Sequence, residues 1–216
     1  MVVCISKEGN MNKAESAIKA DNMDRRVRKT RTALKQALTT LLQEKNVKDI
    51  SVKDLTELAD VNRGTFYLHY KDVFDLMEQC ELDLLGEFES VFKGVSGQEF
   101  LNRPGDVFER IYSMCKDNAD FVRVLLGENG DIKFLNSMTS FLKERCLHDW
   151  GEVIKEVDST QFDAYYTFLV GGCVSLLQYW FNTGMKKSPK ELANITVDFL
   201  IRSTAGGTVH SGKSKD

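Results

Sequence analysis

With 216 residues, 42% hydrophobic and 28% charged, the chain has the make-up of one large or two small globular domains. No apolar run approaches the roughly 20 residues that cross a bilayer, and the five cysteines (Cys4, Cys80, Cys115, Cys146, Cys173) lack C-x-x-C spacing and are odd in number, which excludes a disulfide framework and points to a reducing cytoplasm. The net charge of −3 hides a segregation: residues 25–71 carry +6, residues 1–24 carry −1 and residues 72–216 carry −8, so a basic module suited to phosphates is joined to an acidic body.

Residues 1–24 are polar and without sustained periodicity, which predicts a flexible tail. A basic cluster (Arg25, Arg26, Arg28, Lys29, Arg31) then opens a helix in which Val27, Leu34, Ala37, Leu38, Leu41 and Leu42 keep a helical period, ending before Asn46. Residues 50–71 predict two short helices joined by a tight turn. Ser51 and Asp54 have capping-box spacing, and Ile50 and Leu55 that of a hydrophobic staple. Leu55, Leu58 and Ala59 are expected to form one apolar face, with Val61 in the turn. Asn62 caps a second helix of about two turns, with Phe66 and Tyr70 inward, four residues apart. Arg63, Gly64, Thr65, Tyr67, Leu68 and His69 then face outward. This is the pattern of a helix-turn-helix, whose second helix enters the major groove of DNA by its N-terminal end.

Asp72 is placed to cap a long helix reaching about Lys93, with Phe74, Met77, Leu84, Leu85, Phe88 and Phe92 on its inner stripe. Gly94, Gly97, Pro104 and Gly105 predict a loop, after which Asp106 caps a helix through Met114. Further helices are expected at 121–126, at 132–150 (Phe134, Leu135, Met138, Phe141, Leu142 and Leu147 inward) and at 159–182, the last apolar around nearly its whole girth. Gly184 stops it. Ser188-Pro189-Lys190-Glu191 then opens a final helix with a capping serine, a proline in the first turn and a glutamate at the box position; Leu192, Ile195, Phe199 and Leu200 face a partner. Residues 204–216 read as a frayed tail. No strand-like alternation persists, so the fold class is all-α. The expected domains are a three-helix DNA-binding domain over 25–71 and a larger helical effector-binding and dimerisation domain over 72–203.

The run Val61-Asn62-Arg63-Gly64-Thr65-Phe66-Tyr67-Leu68-His69-Tyr70, set between one preceding helix and a long following one, resembles the tetracycline-repressor (TetR/AcrR) family of bacterial transcriptional regulators over about 27–77. The stretches Phe168-Leu-Val-Gly-Gly-Cys and Trp180-Phe-Asn-Thr-Gly-Met, followed by Ser188-Pro189, resemble one C-terminal class of that family; residues 94–160 match nothing. The resemblance implies two-fold homodimers on palindromic double-stranded DNA, acting as repressors released by a small-molecule effector. It places Arg63, Thr65 and Tyr67 at base and phosphate contacts and His69 and Lys71 at phosphates, with Lys53, Asn62 and Gly64 completing the surface. Arginine pairs bidentately with guanine, threonine offers a hydroxyl or a methyl, and glycine lets the backbone approach closely. Val73 stands where family members carry a phosphate-seeking lysine, and free N–H groups around Asp72 are a partial substitute. A small apolar or aromatic effector is expected against Tyr112, Phe141, Tyr165 and Tyr166, because tyrosine brings a polar handle to an apolar wall. The last two helices are expected to pair with their copies through Gly171, Gly172, Leu176, Trp180, Leu192, Ile195 and Phe199.

Catalysis is not expected. The chain has three histidines, none near a cluster with ligand spacing, and lacks G-x-S-x-G, P-loop and dinucleotide fingerprints; no cofactor, metal or membrane is implied. The competing expectation keeps the fold but makes the regulator an activator, or places it under a protein partner.

Overall fold

The computed structural model describes residues 25–127, 132–154 and 159–205, all helix and connecting turn among the described residues. They divide into two compact units with the boundary between Cys80 and Glu81. The expected tails, and the first residues after Gly127, lie outside the described residues.

The first unit contains α1 (25–42), a 3-10 turn (Val47–Asp49), α2 (Val52–Leu58), α3 (Arg63–Tyr67) and the first half of α4 (Val73–Val91). Local hydrogen bonds set each boundary. The Ser51 hydroxyl accepts the Asp54 N–H and the Asp54 carboxylate accepts the Ser51 N–H, both at 3.1 Å, so the capping box is complete. α2 ends when the Val61 N–H reaches the Thr56 carbonyl at 3.0 Å and the Asp60 N–H the Glu57 carbonyl at 3.4 Å. That Schellman turn needs a left-handed residue, supplied by Asp60 at φ 52° rather than by glycine. Asn62 Oδ1 accepts the Gly64 N–H at 2.7 Å and starts α3, which is shorter than the two turns expected. Leu34, Leu38, Leu55, Phe66 and Leu76 are completely buried, with Tyr70 and Val73 nearly so.

Two side chains expected inward are not. Leu58 is 51% exposed because Leu55, Thr56 and Ala59 already span the inner arc of so short a helix. Phe74 is 57% exposed because the α4 stripe runs through Val73, Leu76, Met77, Cys80 and Leu84, one position out of phase with a stripe begun at Phe74.

The second unit holds the rest of α4, α5 (Gly97–Asn102), α6 (Pro104–Asp117), α7 (Ala119–Leu125), α8 (Ile132–Ile154), α9 (Ser159–Asn182) and α10 (Pro189–Ala205). The loop expected around Gly97 and Pro104 is helix instead. The Ser96 hydroxyl caps α5 by accepting the Glu99 N–H at 3.2 Å, and Pro104 occupies the first turn of α6. Asp106 therefore sits inside α6, ion-paired with Arg103 at 2.9 Å, and is not its cap. α9 has the expected bounds and ends in a second Schellman turn with Gly184 at φ 75°, and the Ser188–Glu191 box opens α10 as expected.

Phe88, Val91, Phe92, Val95 and Val107 form one core cluster, covered by Phe100, Ile111, Met114, Met138, Phe141 and Leu142. The Arg145 guanidinium, on α8, donates to the Phe92 and Val95 carbonyls at 3.1 and 2.8 Å, placing a cation just beyond the α4 C-terminus, where the helix dipole favours one. Elsewhere α6, α9 and α10 meet: the Tyr112 and Thr196 hydroxyls share a buried 2.7 Å hydrogen bond, and the Trp180 ring packs edge-on to Tyr112 while its Nε1 donates to the Lys187 carbonyl at 2.8 Å.

Candidate nucleic-acid interface

The outer surface of α3 follows from what its inner surface must do. Phe66 is sealed, and it packs against Tyr70 at a ring-centroid distance of 5.7 Å. With those two residues anchored, helical geometry turns the intervening positions outward. Arg63, Gly64, Tyr67 and Leu68 are exposed, Thr65 and His69 half-buried, and Lys71 exposed just beyond. Tyr67 meets Phe66 edge-on at 5.4 Å, which steadies its ring while leaving it 59% exposed. Asn62 holds its carboxamide oxygen on the Gly64 N–H, so it positions α3. A Cβ at residue 64 would meet that oxygen at 3.2 Å, so glycine suits the cap as well as close approach. Lys53, exposed on α2, lies 3.7 Å from Glu57, a surface pair of little energetic weight that leaves the ammonium able to meet a phosphate.

α1 adds a second basic surface. Arg25, Arg28 and Lys29 border a groove of about 340 Å³ with Thr32, Ala33 and Gln36, and the Arg31 guanidinium lies 5.9 Å from the Tyr70 ring centroid. The start of α4 departs from the sequence expectation. Val73 is 5% exposed, a core residue rather than a phosphate-facing one. The N–H groups around Asp72 are already engaged: Asp72 Oδ1 accepts the Asp75 N–H at 2.9 Å, and Asp75 Oδ2 accepts the Lys71 N–H at 2.8 Å. Two carboxylates at this helix start oppose a phosphate there.

The residues expected to hold an effector are engaged by different neighbours. The Tyr112 hydroxyl is held by Thr196, and burial pushes its pKa above the usual tyrosine range. Phe141 packs in the aromatic cluster, 6.1 Å from both Phe88 and Phe92. Tyr166 donates to the Thr139 carbonyl at 2.6 Å, whereas Tyr165 is 39% exposed. None of the four lines the open groove of about 620 Å³ between α4 and α6, whose walls carry Glu87, Asp106, Glu109 and Asp117 with Arg110. Sequence periodicity gave no sign of that groove, because its carboxylates come from two helices.

Of the residues expected at a dimer interface, Trp180 (2% exposed) and Leu192 (1%) are sealed inside their own chain, a correction with a simple cause: α6 and α10 cover them. Gly171 and Gly172 are exposed with open space where a Cβ would stand, Leu176 and Ile195 are half-buried, and Phe199 is 60% exposed. Phe168 (68%) and Tyr179 (62%) extend the same apolar exposure. Among the described residues no group of histidine, cysteine and carboxylate side chains could hold a metal ion. Burial raises the thiols of Cys115 and Cys173 to about 12 and about 11, which keeps them protonated and unreactive.

Comparison with known proteins places these features. Residues 102–202 match the TetR family described as Transcriptional regulator C-terminal region. An uncharacterized HTH-type transcriptional regulator of Bacillus subtilis, YxbF, is 23% identical over 163 residues, 74% of this chain; the chain spans 42% of that relative's length. Among solved structures, a TetR transcriptional regulator from Streptococcus agalactiae 2603V is 27% identical with a TM-score of 0.55, over 84% of this chain and 98% of that one. The fatty acid degradation regulator FadR from Bacillus halodurans shares the fold at 12% identity, with a TM-score of 0.61 over 84% of this chain and 97% of its own. The helix-turn-helix at one end and the matched C-terminal region at the other make this chain a transcriptional regulator of the TetR family, not an enzyme.

Proposed function

We propose that the chain acts in the cytoplasm as a homodimer that binds palindromic duplex DNA through α3 and represses transcription until a small apolar or aromatic effector releases it. The observation that carries this reading is the outward set on α3 and its margins, set in a module of net charge +6. Arg63 and Thr65 are assigned to base edges, and Tyr67, His69, Lys71 and Lys53 to phosphates and sugars. Asn62 and Gly64 shape the start of the helix. The dimer is assigned to the exposed apolar surface of α9 and α10, where Phe168, Tyr179 and Phe199 lie with Gly171 and Gly172. Apolar exposure of this kind on a regulator is covered by association. The effector part rests on the aromatic content of α6, α8 and α9.

The experiment is selection of duplexes from a random pool, followed by mobility shift across a salt series. Enrichment of a palindrome, with affinity falling linearly in log salt, is the expected result. Failure to retain any duplex at low salt overturns the reading.

A further inference from the structure

We propose that Leu68 reads the 5-methyl group of a thymine, making it a specificity-determining residue; this rests on the DNA-binding function proposed above. Leu68 is 81% exposed, more than any other large apolar side chain described. A lone exposed leucine needs no explanation in general. Its place on α3 gives this one a meaning.

Phe66 points into the core, so at about 100° per residue Gly64 and Leu68, two positions to either side, lie on the opposite face of the helix, the face turned to the DNA. A helical side chain leans back over the residue four before it. For Leu68 that residue is Gly64, which has no side chain. The isobutyl group therefore borders a notch whose floor is bare backbone, with the half-buried Thr65 alongside. The notch cannot readily be filled from below, because a Cβ on residue 64 would crowd the Asn62 oxygen that caps the helix.

The partner follows from groove chemistry. Thymine displays a methyl in the major groove, whereas guanine, cytosine and adenine present polar atoms to the same space. An isobutyl group against those atoms would strip water from them without replacing its hydrogen bonds. Against a thymine methyl, both partners gain by leaving water. The exposed cations Arg63, Lys53 and Lys71 and the +6 charge of the module identify a polyanion as the surface that covers this face.

The test uses the full chain and a duplex selected from a random pool. Each thymine is replaced in turn by deoxyuridine, which removes the methyl and nothing else, and affinities are measured for the native protein, Leu68→Ala and Leu68→Met. The native protein should lose about fourfold at one position, the value of one buried apolar carbon. Leu68→Ala should show no loss there while keeping its response elsewhere, and Leu68→Met should retain the loss. The salt slope should be the same for all three, because Leu68 meets no phosphate. A Leu68→Ala profile identical to the native one, or a native protein indifferent to every replacement, overturns the assignment. Absence of binding to any duplex overturns the DNA-binding reading together with it.

Discussion

The faces presented by α3 and α9 are both exposed and both carry aromatic rings, yet they are built for different partners. On α3, Tyr67 and Leu68 stand among Arg63, His69 and Lys71 on a helix of five residues held by caps at its start. On α9, a helix of 24 residues, Phe168 and Tyr179 flank a run with no charged residue from Thr167 to Asn182, interrupted by two glycines. Cations around an aromatic ring suit a phosphate-lined groove. An uncharged apolar face with room for close backbone approach suits another protein surface, here a second copy. The lesson is that exposure alone does not distinguish these uses; the charge beside the exposed ring does.

The comparison can be broken most severely at Gly171. A Cβ there meets nothing within 4 Å in the single chain, so Gly171→Leu should leave each subunit folded while obstructing its copy. By two-fold symmetry the obstruction counts twice, about 2–6 kcal/mol in all. Sedimentation should report monomers with unchanged helical content, and a dimeric variant would remove α9 from the interface. Next in size, Arg63→Ala should cost about 1–3 kcal/mol on the selected duplex and relax the preference at one base pair, leaving fold and dimer intact. Equal losses on selected and random duplexes would reassign Arg63 to phosphate. Lys71→Ala should instead weaken all duplexes alike and reduce the salt slope by about 0.9.

The smallest effect concerns the caps. Ser51→Ala should lower the stability of the N-terminal unit by about 1 kcal/mol, measured by denaturant unfolding. The Ser51 N–H, then its hydroxyl, hold the Asp54 carboxyl below its ordinary value of 3.8. A carboxylate lowered on folding adds stability above its unfolded value, and that stability is lost as pH falls through the folded one. The native protein should therefore lose stability below pH 3.8 more steeply than Asp54→Asn; parallel acid profiles would show that the box does not respond to acid.

Much of this architecture is legible in the residues because capping chemistry is local. Ser51 with Asp54, Asn62 with Gly64 and Ser188 with Glu191 act over two or three positions, so spacing is enough to find them. The same locality misleads at Gly97 and Pro104, which look like helix breakers until Ser96 and the tolerance for proline in a first turn are taken into account. The tyrosines assigned to an effector could not be judged from spacing: the Tyr112 hydroxyl finds its partner 84 residues away, and that of Tyr166 finds its partner 27 away. Trp180 and Leu192 illustrate a related ambiguity. An apolar stripe records that a face is covered, not whether its own chain or a copy covers it.

The paired carboxylates of Asp72 and Asp75 at the start of α4 bear on how quickly such a regulator would find its site. Non-specific affinity rises with each phosphate neutralised, and a protein that grips random duplex strongly spends long intervals on wrong sequence. A helix start that repels phosphate shortens each of those stays. Search along the chromosome would then proceed by brief landings and many departures, with residence time reserved for sequences that satisfy the base-reading face of α3.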